Sequence, residues 1–195
     1  MIRLLDIILS LIVIIVFFIF WVIVSIVICL ESRGGVFYKQ LRVGKYEKEF
    51  FIFKFRSMYF NSDKSGLLTV GARELRITKF GYYLRKYKID EIPQVINILL
   101  GQMSFVGPRP EVKKYVNLYS VDQKTILNIK PGLTDYASIK YKNESMILSL
   151  QENPEKYYIE VILPDKIKLS KSMMNDYYIW NYCKILFLTV KSIFV

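Results

Sequence analysis

The sequence predicts an α+β protein attached to a membrane, with an N-terminal membrane helix, a small β-hairpin and several amphipathic interfacial helices. Three observations predict this class. An uncharged apolar run extends from Ile7 to Leu30, two β-rich segments then flank a glycine turn, and much of the remaining chain has helical spacing of apolar residues. The 195 residues are 53% hydrophobic and carry a formal net charge of +11, which suits contact with an anionic leaflet.

The apolar run contains no proline or glycine. As one helix it would reach ~36 Å at ~1.5 Å per residue, enough for a hydrocarbon core of ~30 Å. A signal peptide is shorter and ends in a small-residue cleavage site, which is not seen here. Arg3 precedes the run and many cations follow it, so we expect a membrane helix over residues 1–32 and a cytoplasmic, membrane-associated catalytic domain over residues 33–195.

The segments Val36 to Val43 and Phe50 to Phe55 are rich in β-formers and flank a turn that contains Gly44, which predicts a hairpin. The polar stretch from Ser62 to Gly71 predicts a mobile loop.

Helices are predicted next. A basic, aromatic helix is expected from Thr78 to Lys88, and a second from Asp90 to Leu100, with Ile92, Val95, Ile96 and Leu99 at helical spacing. The prolines at 108 and 110 predict a rigid loop over residues 106–110. Further helices are predicted over residues 111–119, 144–151, 155–163 and 175–191. The aromatic and lysine-containing segment 177–195 suits either a core helix or an interfacial helix, and the interface explains both residue types.

Two features of the composition limit the chemistry. The chain has no histidine, which excludes catalytic triads and histidine acid–base catalysis. Its two cysteines, Cys29 and Cys183, are too few for a four-ligand zinc site, and their positions do not suit a disulfide. Catalysis must therefore depend on carboxylates, Lys or Arg, hydroxyls and a hard metal ion.

The adjacent carboxylates Asp90 and Glu91 follow a basic stretch. They suit a helix N-cap with an acidic first turn, and they equally suit a phosphate-handling site in which a carboxylate is the nucleophile. Arg109 stands between two prolines, which would preorganise its guanidinium for a phosphate. Lys54 and Arg56 alternate along the second strand, either as a solvated edge or as a further phosphate contact.

Taken together and in order, these motifs are specific, and they resemble the bacterial sugar transferase family of monotopic phosphoglycosyl transferases. The resemblance covers nearly the whole chain, from Arg3 to about Lys191. The motifs are Lys54-Phe55-Arg56-Ser57-Met58, then Arg85, then Ile89-Asp90-Glu91-Ile92-Pro93-Gln94, then Met103-Ser104-Phe105-Val106-Gly107-Pro108-Arg109-Pro110, then Lys130-Pro131-Gly132-Leu133-Thr134.

The resemblance implies an enzyme at the cytoplasmic face of the bacterial inner membrane. Asp90 would be the nucleophile toward a UDP-sugar, UMP would leave, and a polyprenyl (undecaprenyl) phosphate would accept the sugar phosphate as the first membrane step of glycan assembly. The family needs Mg²⁺, for which Asp90 and Glu91 are the candidate ligands. Phosphate contacts are expected from Lys54, Arg56, Arg85 and Arg109. Inner-membrane lipid is an expected partner, nucleic acid is not, and a homodimer stays open.

Two departures from the family pattern limit what can be carried over. The family breaks its membrane helix with a Ser-Pro pair, whereas this chain has Ile19-Phe20, so re-entry is implied but a full span is permitted locally. Asp135-Tyr136-Ala137-Ser138 replaces a common Gly-Trp-Ala-Gln, so the sugar is not predicted. Rival functions are a non-catalytic basic membrane scaffold and a membrane-anchored nucleic-acid binder that uses residues 78–88 as its platform.

Overall fold

A computed structural model gives a mixed helical fold with two small sheets, which confirms the α+β class. It describes residues 1–60, 70–71 and 75–194, with side chains through residue 192 in the last helix. The loop predicted over residues 62–71 lies almost entirely outside the described residues.

The apolar run forms two helices, α1 (Ile2–Val16) and α2 (Phe18–Glu31), which meet at Phe17 with a bend of 63°. Neither helix alone has the length and apolar character needed to cross a bilayer, whereas the bent pair together meets both criteria. The straight helix that the local sequence permits is therefore not observed. The bend contains no proline or glycine, so we attribute it to packing at both ends. The first helix packs on the helix Gln94–Leu99, and the second packs on the helix Lys79–Lys86.

The predicted hairpin is confirmed as β1 (Phe37–Val43) and β2 (Glu49–Phe55), antiparallel, with Phe37 opposite Phe55 and Val43 opposite Glu49. A short turn over Lys45–Glu47 joins the strands. The side chains alternate along β2, so that Phe50 and Ile52 are buried against the domain while Phe51 is exposed on the opposite face.

The central segment contains the predicted basic helix, α3 (Lys79–Lys86), which Thr78 caps by accepting a hydrogen bond from the Gly81 amide. The predicted second helix divides into a 3₁₀ turn (Ile89–Glu91) and α4 (Gln94–Leu99). On α4 the buried residues are Gln94, Val95, Asn97 and Ile98, so its inner face differs from the predicted one. Two short strands, β3 (Ser104–Val106) and β4 (Gly132–Thr134), then pair in parallel, which the sequence did not predict.

The C-terminal half is helical, as predicted, but with different bounds. The predicted helices over residues 111–119 and 144–151 are shorter than expected. The one over residues 155–163 continues through a π turn (Tyr158–Ile162) into a further helix, Leu163–Asn175, which the sequence did not predict. The last predicted helix begins four residues later, at Ile179. The elements are α5 (Lys113–Val116), a 3₁₀ turn (Gln123–Asn128), α6 (Tyr136–Lys140), α7 (Glu144–Ser149), α8 (Pro154–Tyr157), α9 (Leu163–Asn175) and α10 (Ile179–Phe194).

The final helix, α10, is two-sided. Tyr182 and Ile185 are buried in a cluster that also includes residues of α1, so this helix packs against the apolar pair. Trp180 and Phe187 are exposed on its other side. The buried face agrees with the core expectation for this segment, and contact of the exposed face with a lipid surface stays a prediction.

Candidate active site

Asp90 and Glu91 lie in a tight turn between α3 and α4. Lys88 adopts a left-handed conformation with φ of +57°, which turns the chain after α3 and directs the 3₁₀ turn inward. Both carboxylates are buried. The N-cap position of α4 belongs to Pro93, so Asp90 is not the N-cap that the sequence allowed.

Glu91 is held by two cations. Arg109 binds it in a bidentate pair, with its Nη1 3.0 Å from Oε2 and its Nη2 on Oε1. The Lys54 Nζ lies 3.1 Å from Oε1. Burial alone would raise the pKa of Glu91, but the charges of Arg109 and Lys54 and the Arg109 hydrogen bonds together hold that pKa well below its ordinary value. Glu91 is thus an ionised partner that fixes both cations beside Asp90.

Asp90 lies in a different environment. Its Oδ1 is buried and accepts no hydrogen bond from the described residues. Burial raises the pKa of Asp90, the neighbouring Glu91 charge raises it further, and Lys54, Arg85 and Lys88 oppose the rise. An unpartnered buried carboxylate oxygen is costly in a folded protein and marks a candidate for chemistry.

Arg109 is positioned by a loop that is fixed to the parallel sheet. The Gly107 amide donates to the Thr134 carbonyl at 3.0 Å, and the Gly132 amide donates to the Pro108 carbonyl at 2.9 Å. The two glycines cross so closely that a Cβ on Gly132 would lie 2.0 Å from the Gly107 nitrogen. The rigid loop predicted over residues 106–110 is therefore built on β3 and β4, and it brings Arg109 to Glu91.

The other predicted phosphate-binding arginines lie elsewhere. Arg56 is buried and donates to the carbonyls of Ser32 at 2.6 Å and Arg33 at 2.9 Å, and more weakly to Ile28, so it binds the C-terminal end of α2. The conformation of Gly34, at φ of +125°, leaves room for this guanidinium. Arg85 is half-buried on α3, near enough to lower the pKa of Asp90. A phosphate contact stays a prediction for Arg56, Arg85, Arg109 and Lys54.

The start of α1 is bonded to the same domain. Arg3 donates to the carbonyls of Ile98 and Leu99 at the C-terminal end of α4. The buried Asp6 accepts from the hydroxyls of Ser104 and Tyr182 and from the Phe105 amide, through one oxygen. The two residues therefore bind separate partners in the domain.

Comparison with known proteins identifies the family of the chain. The family model described as bacterial sugar transferase matches residues 1–195. The chain belongs to the bacterial sugar transferase family.

Three family members illustrate the similarity. The chain is 42% identical over 117 residues to the uncharacterized sugar transferase EpsL of Bacillus subtilis, covering 60% of this chain and 57% of that protein. It is 32% identical over 197 residues to a UDP-glucose:undecaprenyl-phosphate glucose-1-phosphate transferase of Klebsiella pneumoniae. This match covers 99% of this chain and 40% of that protein.

The chain is also 38% identical over 118 residues to a UDP-N-acetylgalactosamine-undecaprenyl-phosphate N-acetylgalactosaminephosphotransferase of Aeromonas hydrophila. This match covers 59% of this chain and 28% of that protein. The chain thus spans between about a quarter and three fifths of the length of these relatives.

The residues present offer a metal ion few protein ligands. Across the described ranges, no group of three or more histidine, cysteine, aspartate or glutamate side chains is placed to hold one. The unpartnered Oδ1 of Asp90 fits a cation, whereas both oxygens of Glu91 already accept from Arg109 or Lys54. A hard cation here would take Asp90 first and complete its shell with substrate oxygens and water.

Sequence reasoning missed Glu111, the residue that follows the proline-bracketed arginine. It was assigned only to the start of a helix, but its carboxylate accepts hydrogen bonds from Arg42, Tyr158 and the Val112 amide. The acidic residue directly after Gly-Pro-Arg-Pro was the available signal.

Proposed function

We propose that this chain transfers a sugar 1-phosphate from a UDP-sugar to a polyprenyl phosphate, through a covalent phosphosugar intermediate on Asp90. The observation that carries the proposal is the unpartnered oxygen of Asp90 beside a Glu91 that fixes two cations. The names of two relatives support the substrate classes, since they pair a UDP-sugar with undecaprenyl phosphate.

In the first step, a carboxylate oxygen of Asp90 attacks the sugar-linked phosphorus of the UDP-sugar. The bond from that phosphorus to the bridging oxygen breaks, and UMP leaves with the electron pair. Arg109 is 36% exposed in its side chain and can reach a diphosphate while Glu91 keeps its guanidinium in place. Burial and the absence of histidine both favour a carboxylate nucleophile, because a covalent acyl phosphate needs no separate base.

In the second step, a phosphate oxygen of the polyprenyl phosphate attacks the same phosphorus, and the bond to the Asp90 oxygen breaks. Asp90 recovers its carboxylate and the product is a polyprenyl diphosphate sugar. The cations around the turn, Lys54, Arg85 and Lys88, favour the ionised form of Asp90 in both halves of the cycle.

Mg²⁺ is the cofactor we propose, with Asp90 as its main protein ligand and Glu91 as the outer partner. When bound, it neutralises charge on the diphosphate and on the departing UMP. Treatment with a chelator should abolish turnover, and added Mg²⁺ should restore it; full turnover after metal removal would contradict the assignment.

The bent pair of apolar helices supports a re-entrant path, in which the chain enters and leaves by one leaflet. The start of α1 is bonded to the domain through Arg3 and Asp6, and the end of α2 through Arg56. A chain that crossed the bilayer would have to break one of these sets of bonds. We therefore place the domain at the cytoplasmic face of the inner membrane, where cations flank both ends.

A test of the path uses cysteine accessibility in intact cells. Cys29 and Cys183, both exposed, are first replaced by serine. A cysteine at Leu4, exposed in the first turn of α1, should stay unreactive to an impermeant reagent until the cells are permeabilised. A cysteine at the exposed Val121 of the domain is the control and should behave alike. Labelling of Leu4→Cys alone in intact cells would establish a full span.

The reaction itself is tested with purified chain, polyprenyl phosphate and a panel of UDP-sugars, by measuring UMP release together with the lipid-linked product. We expect one or a few UDP-sugars to support both. A chain that binds vesicles but releases no UMP with any sugar would instead be the basic scaffold, and selective retention of oligonucleotides would favour the nucleic-acid binder.

A further inference from the structure

We propose that Arg42, Glu111 and Tyr158 are positioning residues for Arg109, acting through the loop that carries it. This inference rests on the proposed function for its kinetic test, but its geometry is independent of the substrate. The three side chains touch neither Asp90 nor Glu91 among their hydrogen-bond partners within the described part of the chain. Their contribution would be to fix the backbone on the C-terminal side of Arg109.

The loop is held differently on its two sides. Before Arg109, backbone hydrogen bonds to β3 and β4 fix Gly107 and Pro108. After Arg109, the Glu111 backbone carbonyl accepts from the Val43 amide at 2.8 Å, and side chains supply the remaining contacts. The first side is therefore fixed by main-chain hydrogen bonds, whereas the second side depends on side-chain contacts that a conservative substitution can remove.

Arg42 joins the loop to β1. Its Nη1 donates to the Pro110 carbonyl and to Glu111 Oε2, at 3.2 Å in each case, and its Nη2 donates to Gln40 at 2.8 Å. Its Nε is buried without a partner among the described residues, and its side chain is only 17% exposed. One guanidinium thus bridges the residue after Arg109 and the carboxylate that follows.

Glu111 joins the loop to the helical half of the domain. Its Oε1 accepts from the Tyr158 hydroxyl at 2.5 Å, and its Oε2 also accepts from the Val112 amide at 2.8 Å. Tyr158 is almost fully buried, within the π turn between α8 and α9. Burial, followed by the Glu111 charge, raises the pKa of Tyr158, so its hydroxyl remains a donor under physiological conditions.

Losing one of these bonds would leave a buried polar atom without its partner, and the loop would shift to recover one. The Arg109 guanidinium meets Glu91 in a bidentate pair that tolerates little displacement. A displacement of about 1 Å at a substrate-positioning group can lower a rate on the order of 100-fold. Because Arg109 is the element displaced, the loss should depend on the presence of Arg109.

The test is a double-mutant cycle between Tyr158→Phe and Arg109→Ala, with kcat/KM as the readout. Tyr158→Phe removes only the hydroxyl and should lower kcat/KM on the order of 10-fold in the wild-type background. In the Arg109→Ala background it should lower kcat/KM by less than about 2-fold, since coupled residues are not additive. An equal loss in both backgrounds would overturn the proposal, because a purely structural role acts without reference to Arg109.

Tyr119→Phe is the matched control. Tyr119 is buried in the same apolar cluster as Tyr158, and within the described residues its hydroxyl makes no hydrogen bond. This variant should keep wild-type kinetics. Arg42→Lys is the second variant, should Tyr158→Phe fold poorly: it keeps the charge but loses one of the two loop contacts, and its loss should likewise vanish without Arg109.

A measurement without substrate separates this inference from the proposed function. In the ¹⁵N-labelled chain in detergent, we expect the bidentate pair with Glu91 to slow rotation of the Arg109 guanidinium and to give distinct Nη signals. Tyr158→Phe should merge them and Tyr119→Phe should not. Unchanged signals in Tyr158→Phe would overturn the positioning role, whereas a wild-type chain with no transferase activity would overturn only the proposed function.

Discussion

The two sides of the Asp90–Glu91 turn differ although the residues are adjacent. The Glu91 side is filled: Arg109 and Lys54 occupy both oxygens, and the pKa of Glu91 is well below its ordinary value. On the Asp90 side, the buried Oδ1 accepts no hydrogen bond from the described residues, and burial together with the Glu91 charge raises the pKa of Asp90. The two side chains carry the same functional group, but their different contacts shift their pKa values in opposite directions.

The two carboxylates are therefore suited to different roles. A carboxylate bound by two cations is a poor nucleophile but a good anchor, while a carboxylate with a free oxygen can form a bond. Lys54 is bound by Glu91 and still biases Asp90 toward its ionised form. The account therefore predicts that substitutions on the two sides produce distinct kinds of loss.

The largest effect is expected for Asp90→Asn. An amide cannot form the acyl phosphate, so turnover should fall by about 1,000-fold or more while the chain stays folded. Product formation per folded molecule, with thermal unfolding as the check on folding, measures this. Asp122→Asn, at an exposed surface carboxylate, is the control. Retention of substantial turnover in Asp90→Asn would remove Asp90 from the chemistry.

The next effect is expected for Glu91→Gln, which breaks the ion pairs of the buried Glu91 with Lys54 and Arg109. Breaking such a pair should lower the free energy of unfolding by about 3 kcal/mol and reduce kcat/KM on the order of 100-fold. Since the Glu91 charge raises the pKa of Asp90, its loss should move the acid limb of the rate–pH profile to lower pH. An acid limb that moves to higher pH would contradict the assigned roles.

Arg109→Lys tests whether the bidentate pair with Glu91 matters for activity. Lysine keeps the charge but has no planar fork, so the bidentate pair is lost and kcat/KM should fall by about 10-fold or more. Steady-state kinetics with the preferred UDP-sugar measures the effect. Wild-type kinetics would mean that the loop has only a structural role.

The smallest effect is expected for Lys54→Met, at the group that both sides share. The Lys54 charge lowers the pKa of Asp90, so its removal should raise that pKa and move the acid limb to higher pH. Activity is lost as pH falls through the pKa of Asp90, because the protonated acid is not nucleophilic. Lys48→Met, at an exposed lysine of the hairpin turn, should leave the profile in place.

The sequence predicted the parts of this site that depend on local pattern. Alternation along β2 and the proline-bracketed loop were visible locally, and the family resemblance supplied the functional link between the dyad and Arg109. The two different surroundings of Asp90 and Glu91 were not visible, because they depend on which side chains meet in three dimensions. Glu111 was missed for the same reason, since its partners Arg42 and Tyr158 lie 69 and 47 residues away.

The fold was predicted only in part. The apolar run was recognised, but its bend at Phe17 comes from tertiary bonds at both ends rather than from a helix breaker. The parallel pairing of β3 with β4 involves three-residue strands, too short for a periodic signal. Arg56 looked like a phosphate ligand by its motif, and only the structure shows that it binds the end of α2.

The central claim is that Asp90, and not its neighbour, carries the phosphosugar. Incubating the chain with a UDP-sugar labelled in the sugar-linked phosphate, without lipid acceptor, tests this most directly. The account predicts label on the protein at Asp90, with one UMP released for each labelled chain, and discharge when polyprenyl phosphate is added. UMP that is released only when both substrates are present, with no label retained on Asp90, would contradict it.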